Sequence, residues 1–323
     1  MNSQPVIEVE DLKKHFPITR GLLARQIGSI KAVDGVSFAL APSETLCVVG
    51  ESGCGKSTVG RLILRLLDPT SGTVRLEGED ITHLNRHEVR RFRQRMQIVF
   101  QDPYASLNPR MRAGAIVAEP LENFENTGRK EMTDRVAALF ERVGLASDAM
   151  RKYPFEFSGG QRQRLGIARA LALNPHVIVA DEPVSALDVS VQAQVLNLMM
   201  DLKADLGLAY LFISHDLGVV EHVADRVAVM YLGRIVEMGP RANLFEAPRH
   251  PYTRALLSAA PIPNPRSKRD RLVLEGDVPS PADPPTGCHF HTRCPFSFER
   301  CRSETPHLRR AGEDHTFACH LEA

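Results

Sequence analysis

A chain of 323 residues with 43% hydrophobic and 24% charged residues has room for one large domain plus an appendage and can bury a full core. Its 40 Lys and Arg against 39 Asp and Glu leave a formal charge of +1, which gives no electrostatic reason to expect nucleic acid as a partner. The longest apolar stretches, residues 177–180 and 206–214, fall far short of the roughly 20 residues of a membrane span, and MNSQPVIEVEDLKK is no secretory signal. The chain is therefore expected in the cytoplasm, with its six cysteines reduced.

From residue 7 to residue 50 the text reads as short strands, VIEVEDL, KAVDGVSFAL and ETLCVVG, by alternation or short apolar runs. Between the first two, a basic insertion over 17–30, with Arg20 and Arg25, predicts a loop. A helix opens after Gly55, carries Val59, Leu62, Ile63, Leu66 and Leu67 on one face, and stops at Asp68-Pro69. Strands TVRLEGED and MQIVF then flank a charged helix, HEVRRFRQR.

Residues 102–157 change character, with helical periodicity in MTDRVAALFERVGL and no strand-like run, and predict a helical insertion. Strand and helix then alternate: HVIVADEP, a helix over 190–205, LAYLFISHD, a helix over 219–224, and RVAVMYLGRIVEMG. Such alternation argues for an α/β sheet with parallel core strands. After Pro240 the texture shifts, and seven prolines between residues 261 and 285 predict an extended, loop-rich appendage.

The strongest chemical signal is Gly50-Glu51-Ser52-Gly53-Cys54-Gly55-Lys56-Ser57-Thr58, a complete G-x-x-x-x-G-K-[ST] between a strand and a helix. Its glycines let backbone N–H groups point inward around phosphate oxygens, and the helix N-terminus adds partial positive charge. Lys56 would reach the β- and γ-phosphates of ATP, and the Ser57 hydroxyl would ligate Mg²⁺. Further on, the apolar run Val177-Ile178-Val179-Ala180 ends in Asp181 and Glu182. Alone, such a pair is a solvated turn or a helix cap. Behind a phosphate loop it becomes the metal carboxylate, Asp181, and the residue that orients the attacking water, Glu182.

Between them stands Phe157-Ser158-Gly159-Gly160-Gln161, a small-residue turn opening a helix. With the phosphate loop before it and DEP after it, FSGGQ resembles the signature of ABC ATPases, although Phe157 stands where Leu is usual. The resemblance implies a P-loop NTPase (RecA-like) α/β core with an N-terminal antiparallel β subdomain, an inserted helical subdomain at about 102–168, and a Pro/Cys-rich C-terminal extension. It places the nucleotide-binding domain at 1–240 and the extension at 241–323. It also implies that Gln101 is the Q-loop glutamine on Mg²⁺, that Ser185-Ala186-Leu187-Asp188 is the D-loop, and that His215 is the switch histidine at the γ-phosphate. Phe16 is similar to the aromatic that stacks on adenine, a contact contributing roughly 1 to 3 kcal/mol, although the insertion after it gives it an unusual spacing to Lys56.

QDPYASLNPR, DEPVSALDVSVQAQVLNLMMDL, VMYLGRIVE and HPYTRALLSA resemble the ATP-binding subunits of dipeptide and oligopeptide permeases, nearest their F-type subunit. In that family the signature of one subunit closes over the ATP held by the other. The resemblance thus implies a second ABC ATPase subunit of D type, two transmembrane permease subunits, a substrate-binding protein, and a place on the inner face of the membrane. Relatives carrying nickel, haem or glycosides keep other solutes open, and an ABC ATPase outside transport is the further alternative. Finally, Cys288, Cys294, Cys301 and Cys319 fall within 32 residues of a Pro-rich tail with little apolar periodicity, as a small metal-stabilised fold would need. Their spacing lacks the C-x2-C pairs of most zinc sites, and the resemblance favours a structural 4Fe-4S cluster, with zinc, helped by His289, His291 or His320, as the alternative.

Overall fold

In the computed structural model, which describes residues 4–21, 25–259, 272, 274–312 and 314–321, the chain starts on a long antiparallel hairpin, β1 (Ile7–Arg20) and β2 (Arg25–Leu40). The insertion expected as a loop is thus strand on both sides: Phe16 pairs Ile30, Ile18 pairs Gly28 and Arg20 pairs Arg25, with residues 22–24 outside the described residues. Pro17 is tolerated because β1 pairs its other neighbour only as far as Lys13, so its missing N–H breaks no second ladder. The wholly buried β3 (Thr45–Val49) leads to α1 (Lys56–Ile63), then β4 (Ser71–Leu76) and β5 (Glu79–Asp80). Helix α1 stops a turn earlier than its apolar pattern suggests. Arg65 adopts a left-handed backbone, φ 50°, and its guanidinium donates to the Ile81 carbonyl at 2.9 Å and to Asp68 at 2.7 Å.

Next come α2 (Arg86–Arg93), closed by a reciprocal Asn85–Glu88 cap, and β6 (Met96–Val99). The helical insertion follows as α3 (Pro103–Ser106), α4 (Ala113–Phe124), α5 (Arg129–Arg142) and α6 (Gly159–Leu171). Strand β7 (Val177–Asp181), helix α7 (Val189–Leu206) and strand β8 (Ala209–Ser214) complete the alternation. The last stretch holds α8 (Leu217–Val223), β9 (Arg226–Tyr231), β10 (Arg234–Pro240), α9 (Arg241–Glu246), α10 (Pro251–Ala259), α11 (Glu299–Ser303), β11 (Arg309–Gly312) and β12 (His315–Phe317).

The chain divides into two compact units. One comprises Met1–Val6, Ala41–Glu44 and Leu84–Ile213. It contains the helical insertion and the parallel strands β8, β7 and β6 in that order. Every residue of β7 and β8 is buried, so these strands read as continuous apolar runs rather than as alternation.

The other unit comprises Ile7–Leu40, Thr45–His83 and Ser214–Ala323. It holds the antiparallel sheet β2-β1-β4-β5 and the run β11-β12-β10-β9-β3, in which β3 and β9 are parallel. Residues 274–298 carry neither helix nor strand, in keeping with their proline content, while regular elements stand before and after them; residues 260–271 and 273 lie outside the described residues. Strand β12 pairs β10 through Glu237 and Phe317, and the fully buried Glu237 accepts hydrogen bonds from Arg249 N–H at 2.7 Å, His250 N–H at 2.8 Å and the His315 ring at 2.8 Å. Among the described residues no helix is long and apolar enough to cross a membrane.

Candidate functional site

The phosphate loop leaves β3 at Gly50, and its glycines are demanded by space as well as by backbone angle. Gly50 has φ 152° and Gly55 φ 107°. A Cβ would lie 2.2 Å from the Met230 carbonyl oxygen at the first and 2.1 Å from that of Ala32 at the second. No side chain fits either place. Ser52 and Gly53 are exposed at the tip, Cys54 is buried, and Ser57 and Thr58 are half-buried in the first turn of α1. Burial pushes the Cys54 thiol up despite the neighbouring Lys56. Lys56 itself is buried, and its ammonium donates to the carbonyls of Gly50 at 2.8 Å and Glu51 at 3.0 Å.

Glu51, an unspecified position of the motif, is held from the C-terminal region. Arg293 donates two hydrogen bonds to its carboxylate, at 2.7 and 3.0 Å, and Glu51 N–H donates to the Tyr252 hydroxyl at 2.8 Å. Tyr252, Tyr231 and Phe290 form one aromatic cluster with ring centroids 4.8 to 5.4 Å apart, and all three are buried. Neither Arg293 nor Tyr252 is among the residues the sequence marks for ATP. Tyr252 does lie in the HPYTRALLSA fingerprint, whereas nothing local to Arg293 signals its partner.

In the same unit, Phe16 lies half-exposed on β1 with the Lys14 ammonium 5.1 Å from its ring centroid. His215 is exposed ahead of α8, between Ser214 and Asp216. The Asp216 N–H donates to the Ser214 hydroxyl at 3.0 Å, and the Asp216 carboxylate caps the helix by accepting Gly218 N–H at 2.8 Å.

The other unit brings together the acidic pair and Gln101. Asp181 ends β7, buried, and Glu182 follows with a left-handed backbone, φ 46°, its N–H donating to the Ile213 carbonyl at 2.9 Å. Such a conformation is uncommon for a residue with a side chain. Gln101 donates its side-chain amide to the Glu182 carboxylate at 2.9 Å.

Ser158 caps α6. Its hydroxyl accepts Gln161 N–H at 3.3 Å, and the Gln161 side chain accepts Ser158 N–H at 3.0 Å. Gly159 and Gly160 are packed against residues 187–191, since a Cβ on Gly159 would stand 3.3 Å from Leu187 and one on Gly160 only 2.4 Å from Val191. Phe157 is buried, so the residue that departs from the usual Leu serves the core, while Ser158 and Asp188 are exposed.

The metal centre expected in the tail is not supported. Among the described residues no group of three or more His, Cys, Asp or Glu side chains stands together so that it could hold a metal ion. Cys288, Cys294, Cys301 and Cys319 are electrostatic neighbours. Burial pushes the thiols of Cys288 and Cys294 up to about 11 and raises that of Cys319. Among the described residues, the contacts of this segment include the Phe290 aromatic cluster, the Cys288 N–H bond to the Cys301 carbonyl at 2.8 Å, and the β10–β12 pairing.

Residues 33–185 match the family model described as ABC transporter, and residues 236–301 match the one described as Oligopeptide/dipeptide transporter, C-terminal region. The chain is 57% identical to the probable peptide ABC transporter ATP-binding protein y4tS of Sinorhizobium fredii, covering 99% of this chain and 91% of the relative. It is 53% identical to the oligopeptide transport ATP-binding protein AppF of Bacillus subtilis, covering 99% and 98%, and 51% identical to the dipeptide transport ATP-binding protein DppF of Haemophilus influenzae, covering 98% and 96%. Among solved structures, a dimeric ATP-binding cassette in a post-hydrolysis state with ADP and Pi matches at TM-score 0.65 and 26% identity, over 73% of this chain and 98% of that one. The cbiO1 component of an ABC transporter complex from Clostridium perfringens matches at TM-score 0.65 and 25% identity, over 76% and 92%.

Proposed function

The chain belongs to the ATP-binding proteins of ABC transporters, and on that premise we propose that its ATP hydrolysis energises an importer of di- or oligopeptides. The observation that carries the peptide reading is the C-terminal match over 236–301, a region the oligopeptide and dipeptide relatives share with this chain along nearly their whole length. We read 1–240 as the nucleotide-binding domain and 241–323 as the extension. The partners of this reading are a D-type ATPase subunit, two membrane permease subunits that hold the pair at the inner face, and a substrate-binding protein.

Within it, the loop from Gly50 to Thr58 cradles the phosphates and Lys56 neutralises them. Ser57, Gln101 and Asp181 offer the hard oxygen donors that suit Mg²⁺, which when bound neutralises charge on the phosphate oxygens. Glu182 orients and polarises the attacking water, with Gln101 fixing the position of its carboxylate. His215 contacts the γ-phosphate and Phe16 the adenine. Ser158, Gly159, Gly160, Gln161 and Asp188 serve the nucleotide held by the partner subunit, as the exposure of Ser158 and Asp188 allows.

Reconstitution with the adjacent permease and binding protein in lipid vesicles tests this. Peptide-loaded binding protein should stimulate ATP hydrolysis several-fold over unloaded protein. Stimulation by nickel, haem or a glycoside, with none by peptides, would replace the solute and leave the ATPase assignment standing.

A further inference from the structure

Glu51 is tied at three points. Its carbonyl accepts the Lys56 ammonium at 3.0 Å, its N–H goes to the Tyr252 hydroxyl at 2.8 Å, and its carboxylate takes both arms of Arg293. The guanidinium is nearly buried, its side chain 8% exposed, and the carboxylate is 28% exposed. A bidentate, charge-assisted pair of this kind fixes direction as well as distance. It also cancels a negative charge in a loop whose task is to accept a polyanion. An unpaired carboxylate at the second position of a phosphate loop would repel phosphate and leave the carbonyl that steadies Lys56 free to move.

We infer that the C-terminal extension is a working part of the ATP site: Arg293, assisted by Tyr252, is a positioning residue that sets the phosphate loop through Glu51 and neutralises it for anion binding. The inference rests on the reading of residues 50–58 as the phosphate-binding loop. It makes nucleotide affinity depend on the fold of a segment more than two hundred residues away, so anything that displaces the Arg293 turn weakens ATP binding.

The experiment is titration of the full chain with a fluorescent ATP analogue, beside thermal melting without nucleotide, and steady-state ATPase in the assembled transporter. Arg293→Ala should weaken ATP binding roughly tenfold, most strongly at low salt. In the transporter it should raise KM while largely keeping kcat. Adding Glu51→Gln to Arg293→Ala should restore most of the affinity, because no carboxylate is then left unpaired. Wild-type affinity in Arg293→Ala, or a double variant no tighter than the single, would overturn the inference.

Should Arg293→Ala lose its melting transition, Arg293→Lys decides. It keeps the charge and loses the fork, so weaker ATP binding with unchanged melting supports the positioning role and wild-type binding refutes that role. Lys56→Ala separates the two layers. ATP binding retained there would reject the loop assignment and the inference with it, whereas binding lost there but untouched in the Arg293 variants would reject the inference alone.

Discussion

The Gln101 side-chain amide donates a 2.9 Å hydrogen bond to the carboxylate of Glu182, across 81 positions of sequence. Glu182 is also fixed from behind, by its left-handed backbone and the bond from its N–H to the Ile213 carbonyl. A side chain distant in sequence thus holds its carboxylate, as a residue that positions water would need. The contact joins the loop that the family resemblance assigns to sensing the membrane partner to the residue assigned to hydrolysis.

Glu182→Gln should therefore keep ATP binding and lower turnover by about 10² to 10⁴, the scale of a general base. The shape is preserved and the charge is lost, so an ATP-bound dimer should accumulate on size-exclusion chromatography. Near-normal hydrolysis in the assembled transporter would remove Glu182 from the role.

Lys56→Ala should abolish tight ATP binding. The buried ammonium bonds two carbonyls of its own loop, so its loss costs about 1 to 3 kcal/mol of stability. A cooperative melting transition should survive in the absence of nucleotide. Complete unfolding would show the residue to be structural instead.

Ser158→Arg places a long cation where the exposed cap of α6 faces outward. The variant subunit should still bind its own nucleotide, while hydrolysis at the site it completes on its partner is lost. Photolabelling of each subunit with an ATP analogue reads this out. Loss of label on the variant subunit alone would contradict action in trans.

His250 is buried, accepts Tyr252 N–H at 3.1 Å, and is pushed by burial and the nearby Arg254 down to about 3. Its folded-state value lies below the unfolded value of about 6.5, so the unfolded chain takes up the proton first. Stability contributed by neutral His250 is full above pH ~6.5 and declines towards pH ~3, by roughly 1.4 kcal/mol per pH unit within that window. His250→Asn keeps an acceptor for Tyr252 N–H and removes the titration. Chemical denaturation at pH 7, 6 and 5 should show a shallower decline for the variant, and equal slopes would remove His250 from the acid sensitivity.

The glycine-rich loop at 50–58, the acidic strand end and the capped turn at 157–161 were legible in the sequence as local structure because each is contiguous. Local chain stiffness, the left-handed backbone at Gly50 and Gly55 and the cap at Ser158 impose a residue type at a fixed spacing, and that spacing survives in the text. The parallel strands β7 and β8 were legible for a related reason, since burial on both faces leaves an apolar run. The tertiary structure alone decided the rest. Residues 17–20 and 25–30 became strand because β1 and β2 satisfy each other's backbone, although their composition resembles a loop. The tail became sheet edge because Glu237 and His315, far apart in the chain, meet in the core. Arg293 reached Glu51 across 242 positions, and among the described residues the four tail cysteines do not stand as a group that could hold a metal ion. Pairings of this kind depend on where the chain returns. The free energy that selects them lies in desolvated partners such as Arg293 and Glu51, and neither residue carries a mark of the other.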